Sequence, residues 1–275
     1  MDFKRIQMLL LAFFIIFDCY LVYILFSRVG MDMPSNIVTE SNIVEELSMR
    51  NVKVKDLSDK RAQLPLVKTQ PSQVLGDHLE NLEEQSASVD EDGVLTSAFA
   101  TPIDLGFKLS YKTKELTKED IAKLDQVVQD KRHFIMGDHY EYYRYAPLEN
   151  AVYYRMKAYD NYKIIDGTAE IKLLFNSDSQ LTNYVQTYQD KIESLDTIIQ
   201  TISEQEALQV INGRAETNIP DNSQIDLIRL SYYRMTYLKD FSVYAPVWEI
   251  VYSLSDNSVR VVYVDASRGT IISPS

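Results

Sequence analysis

Cysteine is almost absent from this chain of 275 residues: Cys19 stands alone, which excludes an intramolecular disulfide and leaves everything beyond it without thiol chemistry. Glycine is sparse too, with eight residues, and none falls in a phosphate-cradling or nucleophile-elbow pattern. G-x-x-x-x-G-K, G-x-G-x-x-G and G-x-S-x-G do not occur, nor does H-E-x-x-H. Positive charge is short: 28 Lys and Arg face 40 Asp and Glu, a net charge of -12. Nucleic acid and anionic headgroups are therefore poor partners for the chain as a whole. The expectation is a protein that is not an enzyme, with no catalytic residue, no cofactor and no metal.

Long apolar runs are also rare, with one exception. Met8 to Phe26 holds eighteen aliphatic, aromatic or Cys residues and a single ionisable group, Asp18. A bilayer-spanning helix needs about 17 to 25 such residues, so residues 7–27 are expected to form a transmembrane helix with Asp18 inside the hydrocarbon. An acid there costs roughly 2.5 to 3.5 kcal/mol, and each Leu, Ile, Phe or Val returns about 0.3 to 0.6. The flanking residues offset that cost. A cleaved signal peptide has a shorter apolar core and a small-residue cleavage site, neither of which is present. Lipidation at Cys19 is disfavoured by bulky Phe17 and acidic Asp18 before it.

Lys4 and Arg5 precede the run, and after Arg28 no basic residue occurs before Arg50. Positive charge stays on the cytoplasmic side, which puts residues 1–6 in the cytoplasm and everything after the helix outside. An intramembrane acid is tolerated best against a partner helix or water, so Asp18 is the candidate contact to another transmembrane helix.

Beyond the anchor the composition is that of a folded protein, 45% hydrophobic and 25% charged. Residues 28–50 read as a stalk with a short amphipathic helix, residues 51–192 as a first α+β domain and residues 193–275 as a second. "NVKVKDL" (51–57) and "LGFKLSYK" (105–112) alternate like strands, Pro65 and Pro71 punctuate the segment between, and the acidic stretch 76–93 reads as a solvated loop. Thr117 with Asp120, and Ser203 with Glu206, have the spacing of helix-capping pairs. A Tyr-rich meander of four or five strands follows the first helix, and three strands follow the second. "YAPLENAVYY" from Tyr145 and "YAPVWEIVYS" from Tyr244 match at five positions, a candidate internal repeat.

His133, Asp138, His139 and Glu141 form the densest group of potential metal ligands. Strand alternation separates Asp138 from His139 and Glu141, and ordinary strand polars are the better reading. Most of the nineteen Tyr residues are expected to be strand and core residues, with a minority at an interface.

The opening "MDFKRIQMLLLAFFIIFDCYLVYIL", the helix start "ISEQEAL", the run "IDLIRLSYY" and the closing "YAPVWEIVYSL" with "VYVDASRGTII" resemble the YycI (WalI) regulatory proteins of Gram-positive bacteria. The resemblance implies a bitopic, non-enzymatic protein that acts with YycH on the sensor histidine kinase YycG (WalK), which governs cell-wall metabolism. It also implies that the transmembrane helix is central to the contact. The closing meander resembles the PepSY-type module, and this sets the alternative: a membrane-tethered extracytoplasmic binding or peptidase-inhibitor module with a passive anchor.

Overall fold

The computed structural model describes residues 43–110, 115–214, 217–256 and 258–272, together with positions 13, 14, 17, 18, 20 and 21. The chain divides into two units, residues 1–49 and residues 50–275. In the first unit the six described positions of the apolar run are helical and exposed. The rest of the expected span, with Lys4 and Arg5, lies outside the described residues. Among the described residues no helix is long and apolar enough to cross a membrane. The unit also contains α1 (Ile43–Met49), where the expected stalk helix is found; Ile43 and Leu47, four residues apart, are its buried pair.

The second unit is mostly antiparallel sheet with a few short helices, consistent with α+β. In chain order it runs β1 (Gln63–Pro71), α2 (Val74–Asp77), β2 (Gln85–Val89), β3 (Leu95–Ile103) and α3 (Lys118–Val128). Six strands follow: β4 (Tyr140–Ala146), β5 (Ala151–Tyr159), β6 (Tyr162–Lys163), β7 (Glu170–Phe175), β8 (Leu181–Gln186) and β9 (Gln189–Gln200). After α4 (Glu204–Asn212) come β10 (Gln224–Tyr237), β11 (Ser242–Ser253), β12 (Val259–Asp265) and β13 (Thr270–Ile272).

The strands form two sheets. One has the order β2-β3-β8-β7-β5-β4, with β6 beside β5; the other has β13-β12-β11-β1-β9, with β10 beside β11. Each contains a helix followed by a four-strand meander: α3 with β4, β5, β7 and β8, and α4 with β10 to β13. The expected boundary at 192/193 falls inside β9, and β1, from the early part of the chain, lies between β9 and β11 of the second sheet.

Both helix starts have a physical cause in the sequence. The Ser203 hydroxyl accepts from the Glu206 backbone N–H at 3.2 Å, and the Glu206 carboxylate accepts from the Ser203 N–H at 2.8 Å, closing a reciprocal cap. Thr117 makes only half of this, accepting from the Asp120 N–H at 3.2 Å, while the Asp120 carboxylate accepts from the Thr117 hydroxyl instead. Ala207, Leu208 and Ile211 of α4 are buried, as are Leu124 and Val128 of α3.

β11 is the axis of the second sheet. Its near-continuous apolar run is buried along ten of twelve positions, as expected for a strand covered on both faces. One edge pairs with β10; the other pairs with β1 at Ser242–Tyr244 and with β12 from Val247 onward. Pro246 sits where this second edge changes neighbours, and its carbonyl accepts from Ala266 N–H at 3.1 Å on that side. The N–H that proline lacks therefore faces the break between two ladders, where no bond is forfeited.

Three expectations are corrected. "NVKVKDL" contributes only an isolated bridge from Lys53 to Gln224, and residues 105–110 of "LGFKLSYK" are irregular. Pro65 and Pro71 lie within β1, tolerated because the pairing with β9 slips between Pro65 and Val67 and the strand ends at Pro71. The acidic stretch is not a loop throughout: it contains β2, and the turn to β3 is fixed by the Asp90 carboxylate, which accepts from Asp92 and Val94 N–H at 3.0 and 2.9 Å.

Candidate functional site

The groups singled out by sequence do not converge. His139 Nδ1 lies 2.8 Å from the Tyr188 hydroxyl. Glu141 is held by Lys157 at 2.6 Å and by Lys163, and Asp138 is exposed. His133 sits edge-on to Phe99, with Nδ1 4.0 Å from Asp130. Among the described residues no group of three or more His, Cys, Asp or Glu is placed to hold a metal. Asp18 is helical and exposed, and it shares a face with exposed Phe14 and Leu21 at the i-4 and i+3 positions.

Charge does converge where the two sheets of the second unit meet. Tyr143 and Ala146 of β4, Ala151 and Tyr153 of β5, Ile165 and Val247 of β11 form one buried cluster, with Tyr233, Tyr263, Leu174 and Ile272 packed against it. In its midst β11 places Glu249, fully buried. The Tyr143 hydroxyl and Arg229 Nη2 both donate to Glu249 Oε2, the latter at 3.3 Å. Arg155 of β5 stands 4.0 Å from Glu249 Oε1 and donates through Nε to Glu170 at 3.1 Å. The two guanidiniums flank the Tyr143 ring, their carbons 3.6 Å (Arg229) and 4.2 Å (Arg155) from its centroid.

The electrostatics follow from this crowding. Burial works against the Arg155 charge, but Glu170, Tyr143 and Glu249 outweigh it and its pKa is raised. Burial, with Glu249 second, pushes Tyr143 up and Tyr263 up to about 12. All three phenol and guanidinium groups keep their ordinary protonation at neutral pH. A carboxylate this deeply enclosed has no solvent path for acid–base work; what it can do is tie β4 and β5 of one sheet to β10 and β11 of the other. Glu249 Oε1, Arg155 Nη1 and Arg229 Nε have no hydrogen-bond partner among the described residues, so the clamp is not saturated.

A second tie lies beside it. Asp166 Oδ1 accepts from the Thr168 hydroxyl at 2.7 Å, that hydroxyl lies 2.6 Å from the Tyr244 hydroxyl, and Arg234 stands 3.6 Å from Asp166 Oδ2. Burial raises the Asp166 pKa despite these partners.

Sequence reading missed both ties. The signal was present: Glu249 is the single charge in "PVWEIVY", and Arg155 shares the otherwise apolar and aromatic "VYYRMKAY" with Lys157 alone. A buried lone charge requires an opposite partner from another strand.

The family described as YycI protein matches over residues 33–267. No curated protein matches the chain. Among solved structures, the chain is similar to an uncharacterized protein from Eubacterium rectale ATCC 33656, at 11% identity and a TM-score of 0.41, covering 81% of this chain and 89% of that one. It is also similar to the C-terminal domain of YpeB from Bacillus megaterium, at 10% identity and a TM-score of 0.36, covering 84% and 94% respectively. The match of the YycI family over residues 33–267, most of the chain, places it: the protein belongs to the YycI family.

Proposed function

We propose that this protein is a membrane-anchored accessory regulator of a YycG/WalK-type sensor histidine kinase, acting together with a YycH-like protein. The single observation that carries this reading is the family match over residues 33–267. Residues 1–6, with Lys4 and Arg5, lie in the cytoplasm; residues 7–27 span the cell membrane; the folded unit is extracytoplasmic. Asp18, on a helical face with Phe14 and Leu21, contacts a kinase helix and biases the kinase between two signalling arrangements. A differential contact of about 1 to 3 kcal/mol changes such an equilibrium by roughly 5- to 150-fold. The folded unit docks on the kinase sensor region or on the YycH-like partner, and the ties at Glu249 and Asp166 keep its two sheets in one arrangement for that purpose.

The test is to exchange residues 7–27 for an unrelated spanning helix and read a kinase-dependent reporter. Loss of regulation with the protein still in the membrane is the expected result. Intact regulation would make the helix a passive tether and favour the binding-module alternative.

A further inference from the structure

The β10–β11 hairpin ends in a tip that the sheet does not use. Beyond Tyr232, which is buried with its hydroxyl on the Pro65 carbonyl at 2.8 Å, residues 235–240 are all exposed. Three of them are large and apolar: Met235, Tyr237 and Leu238 are 41%, 64% and 48% exposed. The turn is closed by Leu238 N–H donating to Phe241 carbonyl at 2.9 Å, so the four apolar residues of the tip, Phe241 included, sit at the end of a paired, twelve-register hairpin.

Cations ring this tip. Lys68 of β1 lies 4.9 Å from the centre of the Phe241 ring, the Arg234 guanidinium 5.2 Å from that of Tyr237, and Lys239 is in the turn itself. Asp240 is the acid of the turn, and Arg234 also faces Asp166. Apolar and aromatic side chains at the point, with one amphipathic cationic stem among them and two behind, make the pattern that suits the bilayer interface: rings at headgroup depth and ammonium or guanidinium groups reaching phosphate. The net charge of -12 does not overrule this, because at physiological salt charges farther than about 8 Å from the contact are screened.

We infer that the β10–β11 tip is a membrane-contact site whose partner is the phosphate layer and outer acyl region of a phospholipid bilayer. This goes beyond the regulatory role but rests on its anchored reading. The chain between Leu21 and Ile43 reaches at most about 80 Å even if fully extended, so the anchored reading confines the folded unit to that reach of the membrane, and even a weak interfacial contact is populated by effective concentration. A second contact of this kind fixes the face that the folded unit turns to a membrane partner.

The experiment uses the full chain in a Cys19→Ser background, with Leu238→Cys carrying an environment-sensitive fluorophore, in vesicles of phosphatidylglycerol and phosphatidylethanolamine. The comparison is Asp92→Cys in the β2–β3 turn. The expected result is a blue-shifted emission and quenching by nitroxide-bearing lipid at 238 and neither at 92. Both effects at 238 should decrease in the Lys68→Glu, Lys239→Glu variant. A label at 238 as solvent-like as that at 92, on a chain that floats with the vesicles, overturns the proposal and leaves the anchor standing. A shift at 238 only after a partner protein is added overturns the lipid assignment in favour of a protein. A chain that does not float removes the anchored reading and this proposal with it.

Discussion

Residues 145–154 and 244–253 share Tyr, Ala, Pro, Val and Tyr at the same five places, yet the first stretch is a hairpin and the second a single strand. In the first, β4 ends at Ala146, Pro147–Glu149 make a turn of 3-10 helix, Asn150 adopts a left-handed φ of 47°, and β5 begins at Ala151. In the second, Pro246 passes through the middle of β11, and Val247, Trp248 and Glu249 continue the strand into the core. What differs is the residues after the proline. Leu-Glu-Asn supplies a left-handed Asn and a carboxylate that meets Lys172 at 2.6 Å outside the sheet; Val-Trp-Glu supplies strand formers with two-sided burial, Trp248 donating to the Ile202 carbonyl at 3.0 Å. A shared proline does not set the local fold. The triplet after it does, together with the neighbours it finds.

This comparison can be broken in order of effect. Glu249→Ala leaves buried Arg155 and half-buried Arg229 without their shared carboxylate and should cost about 3–5 kcal/mol, read as a lower urea midpoint. Its counterpart by position, Asn150, should matter first through its backbone. Asn150→Val forces a β-branched residue into the left-handed region and should cost about 1–3 kcal/mol, whereas Asn150→Gly keeps the turn and loses the side-chain bonds to the Phe175 and Asn176 carbonyls and to the Tyr145 hydroxyl. Leu148, 66% exposed where Val247 is fully buried, should tolerate Leu148→Ser within about 0.5 kcal/mol; a larger loss would show that the tip of this hairpin is covered.

The Asp166 tie gives a pH test of the same sheet-to-sheet contact. Its folded pKa is raised by burial, so the native state is penalised as pH rises from the ordinary carboxylate value through the raised one. Asp166→Asn should therefore stabilise the protein relative to wild type at neutral pH, and the gain should vanish at pH values below the unfolded pKa of about 3.9. A gain that is equal at both ends of that range would show that the carboxylate is not the cause.

Much of the fold was legible where one residue sets a local outcome. Ser203 and Glu206 define the start of α4 through two bonds, and the Tyr-rich alternation after α3 yields five strands. What was not legible depends on pairing over long separations. β1 with its two prolines reads as broken chain until β9 and β11, more than a hundred residues later, are placed on either side of it. β3, in "LTSAFATPI", and β9, whose exposed pattern carries little apolar period, gave the same difficulty. The Glu249 clamp was hidden for a related reason: a lone acid in an apolar strand signals that it needs a partner, but only the sheet packing tells that the partners are Tyr143, Arg155 and Arg229. The roles given to Asp18 as a helix contact and to Lys4 and Arg5 in orientation rest on the sequence alone.

The regulatory reading is tested most directly by crosslinking the full chain to the kinase's transmembrane region in membranes, comparing wild type with Asp18→Leu. The proposed contact predicts a strong crosslink that is lost on substitution while the amount inserted in the membrane stays the same. An undiminished crosslink from Asp18→Leu would contradict it and leave Asp18 without a part in the partnership.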